Sequence, residues 1–592
     1  MNQQIRYKTF DQLSFADMMV YSKLPVHPFW SYVEKHIDFS FADHLCSVLY
    51  TGRGQHPYAP SLKLKVHLVQ TYYDLSDRQT EEKIIGDLFI KRFLGLPVDF
   101  FGFDHSTIGL DRHRMGTPMF QACHLYILAQ MYSLGLWGDH DERWIIDSFP
   151  THAGVVVLGA YRLIQQGIIR VVNHLKRSQV CLYELANKTL DFSPLTHRLS
   201  STTETKDRLM AFSKLVAFGH ALLHFFKTEQ AVQQFSGDRL KAAREHSVKL
   251  QLTLARILQE NSRPVESNDT TDIPPSETET ESEGSASDEP GESSESSTTE
   301  KTTSAVETEL ATSVQESKEA LIEYEKIPRQ ERPSDRLLSP SHTDVRVGMK
   351  TSFTVIKGFK TQNLCTENGV VLNTKAVPAS EHDREAMYHM VSEIQGFFGI
   401  TPKALLGDTA YGHGKQRLQL EDLNVTVIAP VPKTQNPTSL YDISRFTYDP
   451  QKDVFRCPNN NESYRKSYNK TIHGTQYHFR KEHCSACPFQ KECTTNKGGR
   501  SVFRSDYAEI YKQATIYNES DAGKEAMSKR YVVERVNQEL KNNCGMGTPN
   551  ATSKKTVSMK ATLAGIAVNL KLVVRTLIGP KLGFLRRAKL AQ

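Results

Sequence analysis

Cysteine, tryptophan and long apolar runs are all scarce in this chain of 592 residues, which holds nine Cys and three Trp. Five of the cysteines (Cys46, Cys123, Cys181, Cys365, Cys544) stand alone, so no disulfide framework is spelled out and a reducing compartment is the natural setting. No stretch reaches the ~20 apolar residues that span a bilayer. Residues 561–570 run into Lys571, and residues 209–226 contain Lys214, His220 and His224. The opening MNQQIRYKTFDQLSF lacks the basic-then-apolar pattern of a secretory leader. These absences exclude a small disulfide scaffold and predict a cytoplasmic chain without membrane contact, long enough for several domains.

Basic residues outnumber acidic ones by 73 to 67, but unevenly: residues 261–320 hold 16 Asp/Glu against three Lys/Arg, a net of −13 that leaves +19 on the remainder. A body that basic suits a polyanionic partner, because Lys and Arg that neutralise phosphates release counterions. The acidic stretch is rich in Ser, Thr and Glu and nearly empty of large apolar groups. It cannot bury enough surface to offset chain entropy, and a disordered linker is expected over 261–335.

Residues 1–135 read as an all-helical domain. Leu62, Leu64, Val66, Leu68, Val69 and Tyr72 fall at helical spacing, and Ser76 with Gln79 forms a capping box for the next helix. Asp104, Ser106 and Thr107 offer N-caps for a third helix, with Arg112, His113 and Arg114 expected on its exposed side. Short basic helices at tight turns suit DNA binding, and equally dimerisation. Residues 136–160 hold a short apolar strand, Arg143 to Asp147, ending on a carboxylate. Residues 161–260 are helical; His220 and His224 lie one turn apart there without the Glu of a zinc-protease helix, which reads as packed or surface histidines. Within 336–440, strands at 352–356, 370–377, 404–407 and 425–431 alternate with helices at 383–398 and 415–423, the pattern of an α/β sheet. That sheet starts near Trp144 and is interrupted by the helical block and the linker.

Asp147 and Asp408 each close an apolar strand, and adjacent parallel strands would bring both to one sheet edge, where α/β sites form. Over 527–540, Val533, Val536 and Leu540 share a helical stripe with Ala526, and Glu534 lies off it. Arg530 and Lys541 fall within about 40° of Glu534 on the wheel, and Asn537 within about 60°. A surface ion-pair ladder has the same pattern. Combined with two strand-end carboxylates, it points to three hard oxygen donors for two Mg²⁺ (or Mn²⁺) ions about 4 Å apart, suited to in-line displacement at phosphorus. Arg530 and Lys541 would take DNA phosphates, while Asn537 would orient Glu534 or touch the backbone.

Across these residues the chain resembles the bacterial insertion-sequence DDE transposases, most closely the branch numbered eleven-eighty-two, related to the IS4/IS5-type group. Trp144-Ile-Ile-Asp147-Ser, Gly407-Asp408-Thr-Ala-Tyr411-Gly412 and Arg530-x3-Glu534-x6-Lys541 look like their three catalytic blocks. Tyr58-Ala-Pro60, Leu75-Ser76-Asp77-Arg78-Gln79 and Asp104-His105-Ser106-Thr107 resemble their N-terminal helical domain. Gly358-Phe359-Lys360 and Ala564-x4-Asn569-Leu570-Lys571 match as well. One departure is Met527, where related transposases carry a Tyr three residues before the Arg. The resemblance implies an RNase H-like mixed-sheet core with Asp147, Asp408 and Glu534 catalytic and Lys360 among the phosphate-binding residues.

Residues 441–505 contain Cys457, Cys484, Cys487 and Cys493, with Cys484-x2-Cys487 at knuckle spacing. Four thiolates suit a closed structural Zn²⁺ site; His473, His478 or His483 could replace one. Free thiols or a redox pair are the alternatives. Tyr464, Tyr468, Tyr477 and Phe479 interleave with Arg465, Lys466, Lys470, Arg480 and Lys481, which suits a nucleic-acid backbone or a solvated basic loop. Residues 506–592 hold the last core helix and a basic end: 571–592 carry six basic and no acidic residues. The expectation is a transposase that binds terminal inverted repeats and target DNA, acts at the bacterial nucleoid, and works as a homodimer or larger synaptic assembly. The rivals are an inactive DNA-binding relative, a structure-specific nuclease with the same core, and a zinc-ribbon regulator.

Overall fold

The structure is a computed structural model and describes residues 5–578 except 9, 11–12, 52–54, 140, 198, 200–202, 233–240, 266–322, 351–353 and 433–438. Most of the linker expected at 261–335 therefore lies outside the described residues, as do residues 579–592 of the basic end. The chain divides into two units, residues 1–158 with 333–592, and residues 159–332.

In the first unit, Pro60 opens α1 (Pro60–Tyr73), where its missing N–H costs nothing, and left-handed Asp74 ends it. Ser76 and Gln79 make both bonds of the expected capping box on α2 (Asp77–Gly86). Asp104 accepts from the Ser106 N–H to start α3 (His105–Ser133), which kinks at Gly116. Arg112 is not on the exposed side as expected. It bridges Asp77 and Gln70 across the helices, because a half-buried carboxylate on α2 needs a cation there.

Six strands form the central sheet: β1 (Arg143–His152), β2 (Arg346–Met349), β3 (Val355–Thr366), β4 (Val371–Pro378), β5 (Ala404–Leu406) and β6 (Thr426–Ile428). β1 pairs antiparallel with β3 and parallel with β5; β3 also pairs antiparallel with β2 and β4, and β5 parallel with β6. Two expectations are corrected. β1 does not end at Asp147 but runs on to His152, because Phe149, Pro150 and Thr151 are buried against β3. β3 runs far beyond residue 356: it carries Lys360, Thr361, Gln362 and Asn363, whose polarity masks a strand covered on both faces.

Odd-numbered β1 residues Ile145 and Phe149 pack with Val533, Val536 and Leu540, while Trp144 and Ile146 pack on the opposite face with Met390 and Ile394 of α4 (Met387–Phe398). α5 (Gly414–Glu421) links β5 to β6. The helix expected over 527–540 is in fact two, α6 (Asp521–Ser528) and α7 (Tyr531–Gln538), followed by a π-helical turn at Glu539–Asn543. The join at Lys529 and Arg530 is tightened by i→i+3 bonds from the Arg530 and Val532 N–H groups.

α8 (Lys554–Ile578) is, among the described residues, the helix long and apolar enough to cross a membrane, yet 72% of its most apolar stretch is buried inside the protein. Asn569 on α8 accepts from the Val371 N–H (2.7 Å) and donates to the Val371 carbonyl (2.8 Å), with His124 of α3 alongside. The first and last long helices of this unit are thereby tied to one strand.

In the second unit, helix Ala160–Ser178 packs on Lys241–Asn261 with Gly167 facing Leu254 and Ile257, and Gly219 of helix Thr205–Phe225 faces Leu258. Both flanks of the acidic stretch are paired: Ser262–Pro264 runs antiparallel to Tyr324–Lys326. His220 and His224 are exposed, and the His220 ring stacks on Tyr324.

Candidate functional site

The parallel ladder between β1 and β5 stops at the pair Ile145 and Leu406. Asp147 and Asp408 each lie two residues beyond that pair, so the carboxylates stand where the two strands part. α7 lies over this point because Val532, Val533 and Val536 are buried against the sheet. Its outward side carries Glu534, with a 62% exposed side chain, and Arg530 precedes it. One Arg530 Nη is 3.6 Å from Glu534 and the other 3.9 Å from Asp147. The Arg530 Nε is buried and has no hydrogen-bond partner among the described residues.

Burial pushes the Asp147 carboxyl up to about 6. A backbone hydrogen bond from Ser148 and the charge of Arg530 oppose the rise, and the charges of Asp408 and Glu534 add to it. All three acids thus share one field. Asn537 does not orient Glu534 or meet phosphate as expected: its Nδ2 donates to Asp147 Oδ2 (3.1 Å), and its Oδ1 accepts from Asn363 Nδ2 (3.0 Å). The buried position of Asn537, one turn further along α7 than Val533, aims it under the site.

Asp408 caps the short turn after β5, accepting from the Ala410 N–H at 2.8 Å. Tyr411, fully buried, donates to Gln362 Oε1 (2.6 Å), and burial drives its phenol far above the ordinary range. Arg417 fastens the other end of the loop, donating to the carbonyls of Gly412, Val427 and Ala429. A Cβ on Gly412 would meet the Pro430 carbonyl oxygen at 2.2 Å, so only glycine fits that close approach.

One predicted phosphate ligand, Lys360, is not brought here. Lys360 alternates onto the face opposite Asp147 and pairs with Asp383 (3.0 Å) and the Glu381 carbonyl. Lys541 sits in the π-helical turn, its stem 3.1 Å from where a Gly547 Cβ would stand. Asn363 was not foreseen; its only sequence signal is a polar residue within a buried strand, and its partner lies 174 residues away.

The four cysteines of 441–505 line one pocket together with His483, Phe446, Phe479 and Arg500; His473 and His478 are not among its lining residues. Cys457 follows the hairpin Thr447–Asp449 and Val454–Arg456, and a turn at Asn460 brings the Cys457 N–H to the Asn461 carbonyl. Cys484 and Cys487 are joined by one turn, and the Arg500 N–H reaches Cys484 Sγ at 3.4 Å. Burial raises the Cys493 thiol, with Arg500 opposing. Among the described residues, the set of three potential metal-ligand atoms lying within 4.8 Å of one another is Glu81, Asp104 and His105. There Asp104 caps α3 and His105 pairs with Glu81 at 3.1 Å. The acids around Arg530 and the four cysteines are spaced more openly.

A mixed α/β sheet with a helical N-terminal region, carrying acids at two parting strands and on the helix over them, is compatible with a DDE transposase. Residues 19–114 match the family described as Transposase domain (DUF772), and residues 342–570 match the Transposase DDE domain. Together they indicate an insertion-sequence transposase. No curated protein and no solved structure matches the chain.

Proposed function

We propose that this chain cleaves DNA at the ends of an insertion sequence and joins the freed 3′-OH to target DNA, with Asp147, Asp408 and Glu534 as the catalytic acids of an RNase H-like core. The observation that supports the reading is the placement of Asp147 and Asp408 at the same step beyond the Ile145 and Leu406 pair, with Arg530 between Asp147 and Glu534 of the overlying helix. Hard oxygen donors whose charges repel in the metal-free protein fit divalent cations, and Asp147, Asp408 and Glu534 would hold two Mg²⁺ or Mn²⁺. When bound, such ions offset charge at the attacking and leaving oxygens of an in-line displacement.

Arg530 would take a phosphate oxygen through its Nη atoms, which only skirt the two acids at 3.9 and 3.6 Å. Asn537 holds Asp147 in one orientation, and Arg417 and Tyr411 fix the loop that carries Asp408. Lys541 would meet phosphate further along the duplex. Residues 1–135 would bind terminal inverted repeats and bring two ends together as a homodimer or larger assembly at the nucleoid. The cysteine pocket would hold a structural Zn²⁺: Cys457, Cys484, Cys487 and Cys493 all line it, and the backbone N–H to Cys484 Sγ suits a thiolate. The basic strands beside it would grip flanking DNA.

The test is cleavage and joining of end-labelled element DNA in Mg²⁺, with Asp408→Ala as control. Cleaved ends transferred to a second duplex, lost in Asp408→Ala while DNA binding persists, are expected. Cleavage without joining would make the protein a nuclease, and cleavage unchanged by Asp408→Ala would end the reading.

A further inference from the structure

Asn363 stands directly opposite Asp147 in the β1 and β3 register, with no exposed surface. The hydrogen bonds around it can run in one direction only. An ionised carboxylate accepts, so Asn537 must turn its Nδ2 toward Asp147; its Oδ1 then faces Asn363, which must answer with its own Nδ2. This leaves Asn363 Oδ1 buried without a partner among the described residues. An unpaired buried carbonyl is unfavourable, and an apolar side chain in a strand this buried would avoid it. The arrangement gains nothing for the sheet, whose ladder is made by backbone groups, but it fixes Asp147. With Oδ2 held by the amide, Oδ1 is the oxygen turned toward Arg530.

Resting on the active-site reading above, we propose that Asn363 is a positioning residue: acting through Asn537, it sets the rotation of the Asp147 carboxylate so that one oxygen is presented to the divalent cation. Asn363 touches neither cation nor DNA. Its effect is on the geometry of the ligand, and it is transmitted from a neighbouring strand through a helix to the acid. Outer partners of this kind change metal affinity by about 10–100-fold.

The experiment uses the full chain without DNA and Mn²⁺ alone as the probe, read by electron paramagnetic resonance titration, with circular dichroism to check folding. The variants are Asn363→Leu, Asn537→Leu, the double variant, Asn363→Thr and Asp147→Ala. Each single Leu variant is expected to weaken the tightest Mn²⁺ site on the order of 10-fold, and the double variant no more than the worse single one, because both break the same relay. Asn363→Thr keeps a donor on a side chain suited to a strand and is expected to retain affinity better than Asn363→Leu; it carries the test if the Leu variant does not fold. Wild-type Mn²⁺ affinity in Asn363→Leu with the site lost in Asp147→Ala overturns the relay and leaves the active-site reading standing. So does an additive double variant, or equal loss in Asn363→Thr and Asn363→Leu when both are folded. Wild-type affinity in Asp147→Ala overturns the active-site reading itself.

Discussion

The acid site and the cysteine pocket gather their donor groups by opposite means. The Asp147 carboxylate is oriented by Asn537, 390 residues later in the chain, and that residue is oriented in turn by a third strand. The cysteines are set by bonds that span a few residues: Cys457 to Asn461, Cys484 to Cys487, Phe489 to Cys493, and Arg500 back to Cys484. A site built from distant segments depends on the whole sheet, whereas one built from local turns needs only its own loop and whatever it binds.

That contrast can be broken at several points. The largest effect is expected from Asp408→Asn, which should lower DNA cleavage by about 10³-fold, the several kcal/mol that a lost cation ligand represents. Metal analysis should find the zinc proposed for the cysteine pocket unchanged; a parallel loss of it would show that the two regions are not independent. Cys487→Ser should do the reverse, removing bound zinc and opening residues 441–505 to limited proteolysis while the main melting transition stays in place.

The third expected effect concerns pH. Because the folded Asp147 carboxyl is raised to about 6, the metal-free folded chain holds more protons than the unfolded one between the ordinary carboxylate range and pH 6. Stability therefore falls as pH rises through that window, and the cost is complete above it. Asp147→Asn should stabilise the protein in EDTA by about 1–3 kcal/mol at pH 7.5 and change little below pH 4, as measured by urea unfolding. The same carboxyl should weaken Mg²⁺ binding as pH drops below about 6. The smallest effect on stability belongs to Glu534→Gln: the Glu534 side chain is 62% exposed, so stability should move by less than about 0.5 kcal/mol.

The sequence was most readable where structure is local. The capping box at Ser76 and Gln79 and the spacing of Cys484 and Cys487 are short-range patterns, and helices and turns follow from them. The strand pattern also pointed to Asp147 and Asp408, because apolar runs that end on a carboxylate survive any insertion between them. What stayed hidden depends on registers between distant segments. Nothing near Asn537 says that it serves Asp147 rather than Glu534, and Lys360 could be turned away from the acids only by the alternation of a strand whose polar residues concealed its length. Arg112 looked like a solvent-facing cation because its partner Asp77 belongs to another helix.

β1 and β3 are antiparallel neighbours, an arrangement two residues of turn can make, yet the unit at 159–332 separates them in the chain. At about 5–20 residues per second of synthesis, β1 leaves the ribosome roughly 10–40 s before the strand that covers it, and α7 follows later still. The nascent protein must shelter a bare strand edge through that interval, and a chain that stops before Glu534 lacks one of the three proposed acids.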